Sequence, residues 1–282
     1  MHVRPMILSI GDPRGRGAGV RRLAGAAVTE LPRGAAFSLG PILAVQGART
    51  LARVPRLPEA GGPRHGVVGD DVGGALDLLV IGESTAVGVG VDTHEEGLAA
   101  AVARRWHETT GKCVRWSVIG RNGARLRATQ QRRLPAASGE FDCAVVVLGV
   151  NDTLGLTSAR RWRREVESLV RTLRGGLRDG GLVVLAGVPQ LAHFPALPQP
   201  LRTVMGLHGR VLDDVLAHLA DEHVDIVHVR TPAMEDRADL ADDGFHPSAR
   251  GYRQWGGLIA DVAVLPWWGE GDPVTRTTGP SA

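Results

Sequence analysis

From Asp77 onward, short and wholly apolar runs alternate with longer amphipathic stretches. Leu78–Ile81, Val114–Ile119, Ala144–Val150, Leu182–Val188 and Val224–Val229 are rich in Val, Leu and Ile without strict alternation. That texture predicts strands covered on both faces. The stretches between them have helical spacing. Thr93 followed by Glu96 has the form of a capping box ahead of Leu98, Val102 and Trp106. Ser158 is placed to cap a helix that carries Trp162, Val166, Leu169 and Leu173. A third helix is expected to present Val204, Leu207, Val211, Val215 and Leu219. A fourth begins at Pro247 and presents Tyr252, Trp255, Ile259 and Val262. Strand–helix alternation predicts an α/β fold with a parallel sheet between two helical layers. Such folds gather their functional groups at the carboxyl ends of the strands.

The first 74 residues have a different texture. Residues 1–34 are rich in Gly, Arg and Pro without a period, and read as disordered. Residues 35–48 are mildly apolar but interrupted by Gly40-Pro41. They read as a short helix lying against the domain or a membrane surface, with the core of an export or anchor segment as the alternative. Residues 53–74 contain three Pro and six Gly and read as a linker. The expected organisation is an extension over 1–74, a domain over 75–268 and a flexible tail over 269–282.

Composition sharpens this division. The chain has 282 residues, of which 43% are hydrophobic and 22% charged, enough for one sizeable core. No apolar run reaches the length of a membrane span. The net charge is +3, yet residues 1–74 hold ten Arg against five carboxylates, so the remainder is slightly acidic. A basic arm of this kind suits weak association with an anionic membrane surface, or simply solvates a flexible segment. The expected location is cytoplasmic, and no specific nucleic-acid partner is implied. Lys112 is the only lysine, a compositional bias that lowers the weight of any single arginine. Cys113 and Cys143 fall on strands separated by the first core strand and read as ordinary thiols.

Candidate chemistry sits where the strands end. The first core strand runs into Gly82-Glu83-Ser84, the second into Gly120, and the third into Gly149-Val150-Asn151-Asp152. Asp243-Gly244-Phe245-His246 follows the last. Taken singly, the Ser, Gly and Asn blocks each read more readily as an ordinary turn, and the Asp–His pair at least as readily as a structural one. Together they supply a nucleophile, a base, its orienting acid and oxyanion donors, the groups needed for acyl transfer. The G-x-S-x-G elbow is absent, because Ala86 stands at its last position. Gly88-Val89-Gly90 fails the dinucleotide fingerprint at Thr93, and there is no P-loop. Asp242, Asp243 and His246 form no recognised metal-ligand motif with the other histidines, so neither metal nor organic cofactor is expected.

These four blocks resemble the SGNH hydrolase superfamily, the GDSL-like lipases and esterases, over roughly Asp77 to Pro266. The resemblance implies a three-layer α/β/α sandwich with a flavodoxin-like sheet of about five strands. It implies Ser84 as nucleophile, His246 as base and Asp243 as its orienter. It also implies an oxyanion hole from the Ser84 and Gly120 N–H groups and the Asn151 side chain, although Gly123 lies in range of the same block. The family's Asp before the serine is Glu83 here, which puts the bracing role of that carboxylate in question. The implied activity is hydrolysis of a small-molecule or lipid ester. Acyl transfer or deacetylation at the same site, or a non-catalytic lipid- or carbohydrate-binding relative, are the alternatives. Phe194, Leu197 and Leu201, after the fourth core strand, are expected to form one apolar pocket wall.

Overall fold

The computed structural model describes residues 34, 37–53, 55–71, 74–132, 140–194, 196–234 and 236–263. Residues 1–33, most of the stretch expected to be disordered, and the tail over 269–282 lie outside them. The sheet has six strands: β1 (His65–Val68), β2 (Ala75–Gly82), β3 (Cys113–Gly120), β4 (Phe141–Val147), β5 (Leu177–Ala186) and β6 (Ile226–Val229). Their order is β1-β3-β2-β4-β5-β6. All neighbours are parallel except β1, which pairs antiparallel with β3 from His65↔Ser117 to Val68↔Val114. All seven residues of β4 are buried, as both-face coverage requires.

The helices are α1 (Gly40–Arg53), α2 (Leu98–Thr110), α3 (Leu126–Arg132), α4 (Val150–Leu154), α5 (Ala159–Arg174), α6 (Leu201–Glu222) and α7 (Ala249–Val262). The apolar faces of α2 and α7 pack with Leu78, Val80, Val114 and Val145 on one side of the sheet. Those of α5 and α6 pack with Leu79, Ile81, Ala144 and Leu185 on the other. Buried tryptophans anchor these layers. Trp106 Nε1 donates to the Ala260 carbonyl at 3.1 Å and joins α2 to α7. Trp162 Nε1 donates to the Leu212 carbonyl at 3.0 Å and joins α5 to α6. The rings of Trp106 and Trp162 are thus buried without stranding their polar ends. Trp255 on α7 is buried as well, with no hydrogen-bond partner for its Nε1 among the described residues.

Several expectations need correction. The segment read as a linker carries β1, and Ala60, Gly61 and His94 exchange backbone hydrogen bonds with one another and with Val87 and Asp92. The Gly and Pro content masked this strand, whose four residues are half-exposed on the sheet edge. The short helix expected within residues 35–48 is present as α1, with Pro41 in its first turn, where proline needs no donor. Thr93 caps nothing. His94–Glu96 form a 3-10 turn, and α2 begins only after Gly97, whose extended backbone restarts the chain direction. On α6 the buried stripe is Leu201, Val204, Met205, His208, Leu212, Leu216 and Leu219, leaving Leu207 exposed. Gly206 lies against Ala192 there, close enough that a Cβ would stand 2.6 Å from the Ala192 Cβ. Ser158 does cap α5, accepting from the Arg161 N–H at 3.4 Å. Cys113 and Cys143 are free and buried, on strands separated by β2.

Candidate active site

Four strand ends supply this site. β2 delivers Glu83 and Ser84 into a tight turn, in which the Ala86 N–H donates to the Glu83 carbonyl and the Val89 N–H to the Ser84 carbonyl. The turn can approach the C-terminal loop because Gly90 has φ +105° and no side chain. A Cβ there would stand 2.4 Å from the Pro247 carbonyl oxygen. The Tyr252 hydroxyl on α7 donates to the Val89 carbonyl at 2.8 Å, tying the same two segments together.

The C-terminal loop folds around Asp243. One carboxylate oxygen accepts the Phe245 and His246 N–H groups, both at 2.9 Å. The other lies 2.6 Å from His246 Nδ1. Burial alone would raise the Asp243 pKa, but the His246 ring and the two backbone donors outweigh it and hold the group below its usual range. An ionised Asp243 offers only lone pairs, so Nδ1 must carry a ring proton, and in the neutral imidazole Nε2 is the bare nitrogen. Nε2 stands 3.0 Å from Ser84 Oγ, so the serine hydroxyl donates to it. Sequence positions 162 residues apart thus form a continuous Asp–His–Ser relay. Asp242, the other carboxylate of the loop, is exposed and has no place in this relay.

Asn151 lies in the first turn of α4. Its backbone N–H donates to Glu83 Oε2 at 3.1 Å and the Val150 N–H donates to Oε1 at 2.9 Å. Its side-chain nitrogen donates to Glu83 Oε2 and, at 3.3 Å, to the Ala124 carbonyl. Glu83 therefore braces the whole Asn151 turn, the role left in question by the substitution for Asp. Burial pushes its pKa up to about 7, against the pull of those three donors.

Gly120 ends β3 in register with Gly82. A Cβ there would meet the Gly82 carbonyl oxygen at 2.6 Å, so the two strand tips could not stay this close with any larger residue. Beyond it, Asn122 and Gly123 reach the cleft wall. Two residues missed in the sequence reading hold this block. Arg64 Nη1 donates to the Gly120 carbonyl at 2.9 Å, and Glu59 accepts the Asn122 N–H at 2.7 Å while pairing with Arg64 at 2.5 Å. Both lie in the Gly/Pro-rich segment, and no periodic signal there pointed to them.

The cleft over Ser84 and His246 has a volume of about 1010 Å³. Leu197 and Leu201 line it, while Phe194 lines a smaller adjoining cavity of about 60 Å³ that also reaches Ser84 and His246. Phe245 stacks between Phe194 (ring centroids 4.8 Å apart) and the His246 ring (5.4 Å). Among the described residues, no group of three or more His, Cys, Asp or Glu could hold a metal ion, and no helix is long and apolar enough to cross a membrane.

With this geometry in hand, comparison with known proteins is decisive for the family. Residues 80–254 match the GDSL-like Lipase/Acylhydrolase family. The chain belongs to that family. The GDSL-like esterase Rv1075c of Mycobacterium tuberculosis is 30% identical over 198 residues, covering 67% of this chain and 61% of that relative. Among solved structures, TesA superposes with a TM-score of 0.50 at 21% identity, over 66% of this chain and 97% of its own. An extracellular lipase from Streptomyces rimosus superposes with a TM-score of 0.49 at 15% identity, over 67% and 100%. The family match spans β2 to α7 and leaves α1 and β1 outside it.

Proposed function

We propose that the chain is a serine hydrolase that cleaves carboxylic esters through Ser84, His246 and Asp243. The observation that carries the reading is the relay in which Ser84 Oγ, His246 and Asp243 stand 3.0 and 2.6 Å apart. Ser84 Oγ attacks the ester carbonyl carbon while His246 Nε2 takes the hydroxyl proton. Asp243 stabilises the imidazolium that results. The carbonyl oxygen becomes an oxyanion, for which the Ser84 and Gly120 N–H groups and the Asn151 amide are the donors. The long 3.3 Å contact from Asn151 to Ala124 is the one that the oxyanion replaces, while Glu83 keeps the amide in place. Collapse expels the alcohol, protonated by His246, and leaves an acyl-Ser84 ester. Water, deprotonated by His246, then releases the acid and restores the serine.

The substrate in this reading is a small-molecule or lipid ester with an apolar acyl group, since Leu197 and Leu201 face the cleft. Ser84→Ala should keep the fold and lower hydrolysis of p-nitrophenyl esters at least ~10⁴-fold. Full residual activity at unchanged protein purity would overturn the assignment. Cytoplasmic location with weak attachment to anionic membranes through the arginine-rich arm belongs to the same reading. Co-sedimentation with phosphatidylserine vesicles, lost at high salt, checks the attachment.

A further inference from the structure

Helix α1 lies outside the residues that match the family, yet it stands in the wall of the cleft that holds Ser84. Gly40, Leu43, Ala44, Gly47 and Ala48 all line that cleft, and their spacing puts them on one helical face. The facing wall is Leu197, Leu201 and Met205. Leu43 is buried among those residues, with Phe194 and Phe245 beside it. Gln46 fastens the helix at this height. Its Nε2 donates to the Gln199 carbonyl at 2.6 Å, and its Oε1 accepts the Leu201 N–H at 3.1 Å. That second bond satisfies a first-turn donor of α6, which no helical carbonyl can reach. The helix is therefore pinned by a polar clamp at one point and by Leu43 at another. Apart from Leu43 and Thr50, the cleft face of α1 from Gly40 onward is Gly and Ala, which adds little bulk. A Cβ at Gly40 or at Gly47 would meet no atom within 4 Å.

We propose that α1 is the second wall of an acyl-chain groove, so the preferred substrates are esters of extended, unbranched apolar acids, and that Gly47 and Ala48 set the usable chain length. This rests on the hydrolase reading above and deepens it. An extended chain entering from Ser84 runs between two largely apolar walls, whereas a polar acetylated sugar would meet few polar groups beyond Thr50, Arg56 and Asn122. Outside the catalytic groups, Arg56 is the one charged residue in the wall among the described residues. A groove of about 1010 Å³ is at the upper end of what small-ligand sites offer. It exceeds what an acetyl group needs.

The test compares kcat/KM for p-nitrophenyl acetate, butyrate, octanoate and laurate in the full chain. Wild type should gain with each methylene, at roughly fourfold per methylene when burial is complete, until the groove is filled. Gly47→Phe projects a ring into the open space and should lower the octanoate-to-acetate ratio at least tenfold. Ala48→Phe, an exposed position on the same face, repeats the block should the first variant fail to fold. Gly257→Leu, on α7 with equally open space and away from the cleft, should leave the ratio unchanged. A wild-type enzyme without preference for the longer chains, or a ratio unaltered in both blocked variants, overturns the groove. Failure of wild type to cleave acetate, with Ser84 unlabelled by a short-chain fluorophosphonate, overturns the hydrolase reading and the groove with it.

Discussion

Both ends of the sheet hold buried or half-buried carboxylates, but Asp77 and Asp142 at one end and Glu83, Asp152 and Asp243 at the other are partnered in opposite ways. At the amino end, Asp77 is gripped by Arg115 through two 2.7 Å contacts and by Arg178 through a third. Arg178 also reaches Asp142 at 2.7 Å, which in turn accepts the Asp77 N–H. Burial would raise the Asp77 pKa, but the two guanidinium groups overcome it and lower the value. At the carboxyl end, Glu83, Asp152 and Asp243 meet neutral donors instead. Glu83 has three amide N–H donors, Asp152 has the Leu126 N–H and the Thr157 hydroxyl, and Asp243 has an imidazole and two backbone N–H groups. Burial raises Asp152 as it raises Glu83. A fixed guanidinium cancels a carboxylate permanently. A site that must let an imidazole gain a proton needs an acid whose charge is still free to respond. Uncompensated buried carboxylates cost stability, and this fold confines them to the edge where chemistry is proposed.

The sharpest way to break this contrast is Asp243→Asn. It keeps the shape but leaves Nδ1 facing an amide, so the wrong ring nitrogen can carry the proton. Turnover on a p-nitrophenyl ester should fall ~10³–10⁴-fold with little change in KM. A loss below tenfold would mean that Asp243 only holds the loop. Asn151→Ala should cost about 10²–10³-fold in kcat, the range expected for one oxyanion donor. An effect confined to KM would remove Asn151 from that role.

How far this was legible in the sequence follows from the same two regions. The apolar runs of β2 to β6 and the strand-end groups Ser84, Asn151, Asp243 and His246 could be read because both-face burial and loop chemistry leave local marks. Glu59 and Arg64 could not. Their work is to hold backbone groups of the Gly120 block across some 60 positions of chain, inside a segment whose Gly and Pro content hid a strand. On α6, Leu207 fits the apolar period yet is exposed, because tertiary packing, which leaves no local mark, decides the buried face. Glu83 announced itself only as a departure from Asp; its three donors appear once α4 folds beside β2.

Proton linkage sharpens the comparison further. Glu83 titrates near 7 in the folded chain against an ordinary value of 4.5. Between those values the folded state holds a proton that the unfolded state has released. Its contribution to stability therefore falls as pH rises through that window and levels off above it. Asp77, with a lowered value, contributes stability above its ordinary pKa of 3.8 and loses it as pH falls through the folded value. Urea unfolding from pH 3 to 8 should show Glu83→Gln gaining on wild type as pH rises to about 7. Asp77→Asn should narrow its deficit as pH drops below about 4. Matching slopes in the two variants would dissolve the distinction. The smallest effect is expected of Arg178→Ala, which should lower stability by about 1–2 kcal/mol and leave kcat within twofold. A tenfold change in kcat would show that the amino end is coupled to the site.

If Ser84, bonded to His246, is the activated nucleophile proposed above, a fluorophosphonate should label it. Reaction of the full chain, followed by peptide mapping in wild type and His246→Ala, should show one phosphonyl group per chain, on Ser84, and its loss in the His246 variant. Labelling at another residue, or none in wild type, would contradict that role.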